Sequence, residues 1–441
     1  MSSEAANAGG AWRLRAAWRG GPLVNRNFRL LSVGQFTSTV GDFCYAIALP
    51  WLILSTHGGP VLLGAVLACY GVPRTVLIPV GGILADKIGP RTVMLAADVS
   101  RCVLVALLAV LATRSSAPLV MLGPIAALLG AGEGVFLPAS FTIMPTILDP
   151  DKLQAGNALS SAMIQIGSLA GPVLGGILVT TAGPGPAFAV DAASFALSAL
   201  ALTLIRVPRL PTPSDRPAAP SPAGAPTDSA RQQAAPSIWS LLRPSRLLKV
   251  IIGVCIAANL TSGGTFEVAL PALAHAKFGA AGYGALIACM GAGSVIGTLA
   301  AARGSKLRRP AFVACSAFLV EAAATCLVPF LGGLAGAAAA VLVFGICNGF
   351  GNIVMITLLQ QWAPSQLLGR VMSLVMLASV GSFPASVAVS GILVRHLGPS
   401  PFFPVAGIVL AISILGALTQ RQFREFGTPA AGESGSSAEA G

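Results

Sequence analysis

Twelve apolar segments, each about 20 residues long, run through this chain at 31–54, 61–85, 92–112, 119–143, 157–181, 186–205, 247–271, 282–302, 311–331, 335–359, 370–394 and 401–420. That is the length a helix needs to cross the hydrocarbon core of a bilayer. In that solvent every backbone N–H and C=O must be satisfied within the chain, so the segments are expected as transmembrane helices. Of the 441 residues 55% are apolar and only 10% are charged, which leaves nothing to surface and fill a second, soluble domain. The expected class is an all-α, multi-pass membrane protein.

The net charge of +12 would suit a nucleic-acid binder, but its distribution argues against one. If the spans alternate in direction, 22 of the 27 Lys and Arg fall on one side, among them Arg26 and Arg29 before the first span and Arg303, Lys306, Arg308 and Arg309 after the eighth. The other side receives Arg114, Lys277 and Arg395, while Arg74 and Arg101 lie inside spans. The positive-inside rule then puts both termini in the cytoplasm. The eight cysteines all fall within spans without metal-ligand spacing, and read as small apolar packing residues. The N-terminal stretch is basic but has no apolar core or cleavage site, so the first span is expected to serve as an uncleaved insertion signal.

Residues 207–245, rich in Pro, Ala and Ser, divide six spans from six and are expected to form a disordered linker. The expected organisation is an N-terminal segment (1–30), a six-helix bundle (31–206), the linker, a second bundle (246–425) and a disordered tail (426–441). The two halves echo each other at a spacing of 215–221 residues: ALP at 48–50 and 269–271, Pro90 and Pro310, Gly134 and Gly349, and Gly-Ile-Leu-Val from Gly176 and from Gly391. A parallel repeat of two bundles about a midplane cavity follows.

Between the second and third spans lies GGILADKIGPR, Gly81–Arg91. A glycine, an Asp-basic pair four residues on and a late arginine resemble the cytoplasmic loop signature of the major facilitator superfamily of transporters. That resemblance implies a conformational gate. Gly82 would let the second span approach a helix of the other half, and Asp86 would sit at the N-terminus of the eleventh span, where the helix dipole favours negative charge. Arg370, near that N-terminus, is its expected charge partner. Lys87 takes the usual arginine position, and Pro90 replaces the first of two final basic residues while Arg91 keeps the second. The alternative reading is that these charges fix topology only.

In the fifth span Gly167, Gly171, Pro172, Gly175 and Gly176 resemble the helix-packing signature of the drug/proton antiporter branch, with Ala158 where that pattern has a further glycine. Glycines one turn apart allow close packing, and the internal proline frees a carbonyl; packing alone is the alternative reading. The stretches 25–54, 153–176 and 367–384 look like the exporters of siderophores and macrolides, and the resemblance spans residues 25–420.

Ionisable residues within a membrane are expensive and mark function or pairing. Asp42 and Arg74 sit at equal depth in the first two spans and could pair. Glu133, between Gly132 and Gly134, is central in the fourth span, and the resemblance makes the first, fourth, seventh and tenth spans line the cavity. Glu133 is therefore the preferred proton-coupling residue, with a permanently protonated, hydrogen-bonded side chain as the alternative. Asp98 and Arg101, three apart on one helix, are expected to form a structural pair. Asp191 and Glu267 read as lying nearer the outer ends of their spans, Glu267 still counted with Asn259 and Asn348 among candidate cavity residues. Glu321, in the position matching Arg101, has no partner legible in the sequence.

No nucleophile–base set or phosphate loop is present, so no enzyme is expected, and no cofactor or metal. The expected function is export of a small organic molecule (a drug, or a macrolide- or siderophore-like product) by proton antiport through alternating access. Uptake or facilitated diffusion is the alternative, and a non-transporting receptor or scaffold a more remote one. The expected partners are a small-molecule substrate, protons and lipid, with no nucleic acid. The expected form is a monomer in the cell membrane, specifically a bacterial inner membrane.

Overall fold

The computed structural model describes residues 21–56, 58–113, 119–205, 246–303, 309–363 and 368–420. The expected linker, the tail and the first 20 residues lie outside these. The described residues form twelve helices long and apolar enough to cross a membrane, one for each predicted segment. In the first half they are α1 (Arg26–Ser55), α2 (Gly59–Ile88), α3 (Pro90–Ala112), α4 (Leu122–Ile147), α5 (Leu153–Ala182) and α6 (Pro184–Leu204). In the second half they are α7 (Arg246–Lys277), α8 (Gly279–Arg303), α9 (Pro310–Leu327), α10 (Gly333–Trp362), α11 (Leu368–Leu397) and α12 (Pro399–Leu418). Each set of six packs into one bundle.

Several connections are as short as a chain allows. A single glycine joins α2 to α3 (Gly89, φ 87°), α5 to α6 (Gly183, φ 82°) and α11 to α12 (Gly398, φ 83°), and a proline opens the next helix each time. Glycine tolerates the left-handed φ that reverses the chain, and proline at the first helical position gives up an N–H with no partner there. Helix directions alternate, so both ends of the described chain lie at one face, called here the basic face after Arg26, Arg29, Arg246, Lys249 and Arg309.

The repeat read in the sequence reappears as repeated contacts. Within the first half, Gly130 and Gly134 of α4 press against the backbone of Tyr70 and Arg74 of α2; within the second, Gly345 and Gly349 of α10 press against Met290 and Ser294 of α8. The halves join the same way. A β-carbon at Gly64 (α2) would run into Val387 O and lie 3.2 Å from Gly391 Cα (α11), and one at Gly284 (α8) would run into Pro172 O and lie 3.2 Å from Gly176 Cα (α5). Both contacts lie in the half of the membrane away from the basic face, where the Trp51 and His275 rings also meet, tilted by 56° with centroids 4.7 Å apart. Small residues at such crossings let backbones meet, which is how helices associate where apolar burial gives no drive.

α7 departs from the regular span expected at 247–271. It is interrupted by a π-helical turn at Thr265–Ala269. Ser386 of α11 binds the chain just before the break: its Oγ donates to Leu260 O at 2.6 Å and accepts from Gly264 N at 2.8 Å. The hydroxyl thus adds a partner from the neighbouring helix to two backbone groups there, within the bilayer.

Candidate functional site

A cavity of about 440 Å³ lies in the second half, walled by α7 to α12. It runs from Ile251 and Leu359, close to the basic-face ends of α7 and α10, to Phe266, Phe344 and Phe383 at mid-depth. Three predicted cavity residues, Asn259, Glu267 and Asn348, are on its wall. The wall is made by the second half alone, which differs from the expected lining by the first, fourth, seventh and tenth spans. Glu267 does not sit in a hydrated outer position: the π turn carries it, and an inserted residue re-aims the side chains that follow. Glu321 gains the partner the sequence left unidentified, since Asn348 Nδ2 lies 3.3 and 3.4 Å from its two carboxylate oxygens. The repeat could have signalled this, because Asn348 stands opposite Glu133 and Glu321 opposite Arg101.

The first half gathers its charges around a cavity of about 30 Å³ lined by Asp42, Tyr45, Tyr70, Arg101, Glu133 and Asp191, among others. The expected Asp42–Arg74 pairing is replaced: Arg74 Nη2 binds Glu133 Oε1 at 3.0 Å. Gly134 brings α4 against α2 at Arg74 itself, so the neighbouring carboxylate on α4 reaches the guanidinium first. Asp42 is exposed at the middle of α1 and makes no ion pair among the described residues.

Asp98 and Arg101 pair at 2.7 Å, Ser198 of α6 donates to Asp98 at 2.6 Å, and the guanidinium lies between the rings of Phe136 and Phe195, 4.4 Å from each centroid. This assembly ties α3, α4 and α6 together, and cation–π contact replaces part of the lost hydration. Asp191 is only 1% exposed, not partly hydrated as its position in the sequence suggested. It enters the core because α1 has no side chain at Gly41, where a β-carbon would lie 2.6 Å from Asp191 Oδ1. Ser194 Oγ, at 3.4 Å, is a weak partner. Among the described residues no acids, histidines or cysteines are grouped as metal ligands.

At the basic face the expected gate residues stand on the end of α2, the start of α3 and the first turn of α11. Among the described residues a β-carbon at Gly82 would meet nothing within 4 Å, so the close approach that the resemblance implied at this glycine is not made by them. Its neighbour Gly81 instead packs α2 on Val135 and Pro138 of α4. Asp86 and Lys87 are exposed, and Asp86 makes no ion pair among the described residues. Arg370 falls in the first turn of α11, but its side chain lies outside the described residues. Arg91 donates to Leu202 O and Thr203 O, both at 2.7 Å, capping the C-terminus of α6. Asp149 pairs with Lys152 at 2.8 Å, and that hydrogen bond and charge hold its carboxyl below the usual range.

In the fifth-span motif the residues face two ways. Gly167, Gly171 and Gly175, one turn apart, receive Thr39, Phe43 and Cys44 of α1, while Pro172 and Gly176 meet Gly284 of α8 in the other half. One strip builds the bundle and the other joins the halves.

The family model described as Major Facilitator Superfamily matches residues 31–386. Among characterised relatives, the chain is 25% identical over 420 residues to the enterobactin exporter EntS of Salmonella typhimurium, covering 92% of this chain and 96% of that one. It is 30% identical over 194 residues to the multidrug efflux pump Tap of Mycolicibacterium fortuitum, 42% of this chain and 46% of that one. A solved POT family transporter in complex with 5-aminolevulinic acid superposes with a TM-score of 0.68 at 14% identity, over 90% of this chain and 96% of that one.

Proposed function

Because the chain belongs to the major facilitator superfamily, we propose that it is a secondary transporter that exports a small amphipathic organic molecule in exchange for protons, by alternating access. The observation that carries this reading is the asymmetry of closure. The halves are in contact through Gly64–Gly391 and Gly176–Gly284 away from the basic face, while at that face Gly82 stands clear and the 440 Å³ cavity reaches toward it. With the basic face cytoplasmic, this is the conformation that loads from inside. The efflux-named relatives favour export over uptake.

In this reading Asn259, Glu267 and Asn348 contact substrate, and the Arg74–Glu133 pair with Asp42 handles the proton. Breaking a paired carboxylate free by protonation releases Arg74, a change confined to the core of one half that can bias a two-state equilibrium. The loop from Gly82 to Arg91, with Arg370, latches the basic face in the opposite state, and the clear surface over Gly82 is what a closing helix needs. The protein works as a monomer in a bacterial inner membrane.

The test is transport by the purified chain in proteoliposomes under an imposed pH gradient. Substrate accumulation that follows the gradient and is lost in Glu133→Gln supports antiport. Coupling unchanged in that variant removes Glu133 from the proton path, and movement that ignores the gradient turns the reading to facilitated diffusion.

A further inference from the structure

Glu321 is a buried charged group on the cavity wall to which the transport cycle above gives no task. Its side chain, on α9, is 1% exposed and meets the wall of the 440 Å³ cavity. Its hydrogen-bond partner is Asn348, whose one amide nitrogen is shared between both oxygens at 3.3 and 3.4 Å. Asn352 donates to Asn348 Oδ1 at 3.1 Å and so fixes which way that amide faces. Among the described residues Glu321 forms no ion pair, and no Lys or Arg lines the cavity. The second acid on the wall, Glu267, differs: Arg74, across the junction of the halves, acts on it electrostatically.

A carboxylate at mid-membrane with one long, shared amide bond is poorly compensated. What surrounds it suits a cation. Phe266 and Phe344 lie with ring centroids 4.2 Å apart, and Phe318 and Phe383 share the wall. Aromatic faces attract positive charge in a space of low dielectric, while the Glu321 carboxylate disfavours an anion beside it. The volume matches a drug-sized ligand.

Building on the reading of this cavity as the substrate site, we infer that the ligand is an amphipathic organic cation. Its ammonium head seats against Glu321 and Asn348, and its apolar body lies among the four phenylalanines. An anionic compound is excluded by the same geometry.

The experiment uses the purified full chain in detergent and three probes of one shape. These are dansyl-ethylenediamine, which carries a free ammonium, its neutral N-acetyl derivative, and the anionic dansyl-β-alanine. Binding is read from dansyl fluorescence. The expected order is cation tightest, by about tenfold over the neutral probe, and anion weakest; a charge-assisted hydrogen bond supplies a factor of that order. Glu321→Gln is expected to remove the cation's advantage and leave the neutral probe within about twofold of its original affinity.

Equal or tighter binding of the neutral or anionic probe to the unaltered chain overturns the inference, as does a cation preference that survives Glu321→Gln. If that variant binds nothing because it does not fold, Asn348→Asp decides: a stronger cation preference supports the assignment and an unchanged one refutes it. The export reading is tested apart from this. Transport of the anionic probe in proteoliposomes without cation binding would sink the ligand class and leave export standing, whereas cation binding without transport would do the reverse.

Discussion

Gly284→Ala places one methyl group where α8 crosses α5. The new β-carbon would run into Pro172 O and lie 3.2 Å from Gly176 Cα, both of them backbone atoms that cannot turn aside. Relief requires the two helices to move apart, and overpacking of this kind costs about 1–3 kcal/mol. In the proposed cycle that cost falls on the conformation described here, because the crossing parts when the face away from the basic residues opens. The equilibrium between the two conformations should therefore shift by about 5- to 150-fold toward the opened form. The assay is the distance between spin labels at Ala182 and Lys277, exposed positions on the outer ends of α5 and α7, in a background with the native cysteines replaced. The unaltered protein should give mainly a short distance, and Gly284→Ala a second, longer population. Gly64→Ala, the equivalent change at the α2–α11 crossing, should produce the same population, although no label reports on that crossing directly. A distribution unchanged in both variants, with thermal stability lowered, would refute the reasoning and reduce both crossings to packing.

Arg91→Ala should lower the melting temperature in detergent through loss of about 1 kcal/mol of capping at the end of α6, with membrane insertion retained; Arg91→Lys should recover only part, having no planar fork for two carbonyls. Ser386→Ala removes two hydrogen bonds, to Leu260 O and from Gly264 N, beside the α7 break and should cost about 1–3 kcal/mol, read from the same melting curves. Arg74→Met and Glu133→Gln should be coupled, the double variant being more stable than the sum of the single losses predicts by about 0.5–3 kcal/mol; additive losses would show that their ion pair contributes nothing.

The spans were legible because a bilayer imposes one length and one composition on whatever crosses it, and all twelve segments appear as helices. The turn within Gly81–Arg91 and the spacing between the halves were legible for a similar reason, since backbone geometry restricts them. Partners inside the bundle were not. Depth put Arg74 level with Asp42, but rotation about the helix axis gave it to Glu133, and apolar residues on every face leave no periodicity from which to read that rotation. Asp191 was misjudged because its burial depends on the missing side chain of Gly41, 150 residues away in the chain. Glu267 was misjudged because α7 runs on past the expected end at 271 to Lys277, which sets it deeper, and nothing in its composition announces the π turn that carries it. In the proposed cycle the clear surface at Gly82 belongs to one of two conformations, which a sequence shared by both does not specify.

The one-residue turn at Gly183 has a mechanical consequence. With one residue between them, α5 and α6 are both seated on α1: Gly167, Gly171 and Gly175 hold α5 there, and Asp191 of α6 lies beneath Gly41. In the proposed cycle a swing at the α5–α8 crossing therefore carries that buried carboxyl and its surroundings along with α1 as one body.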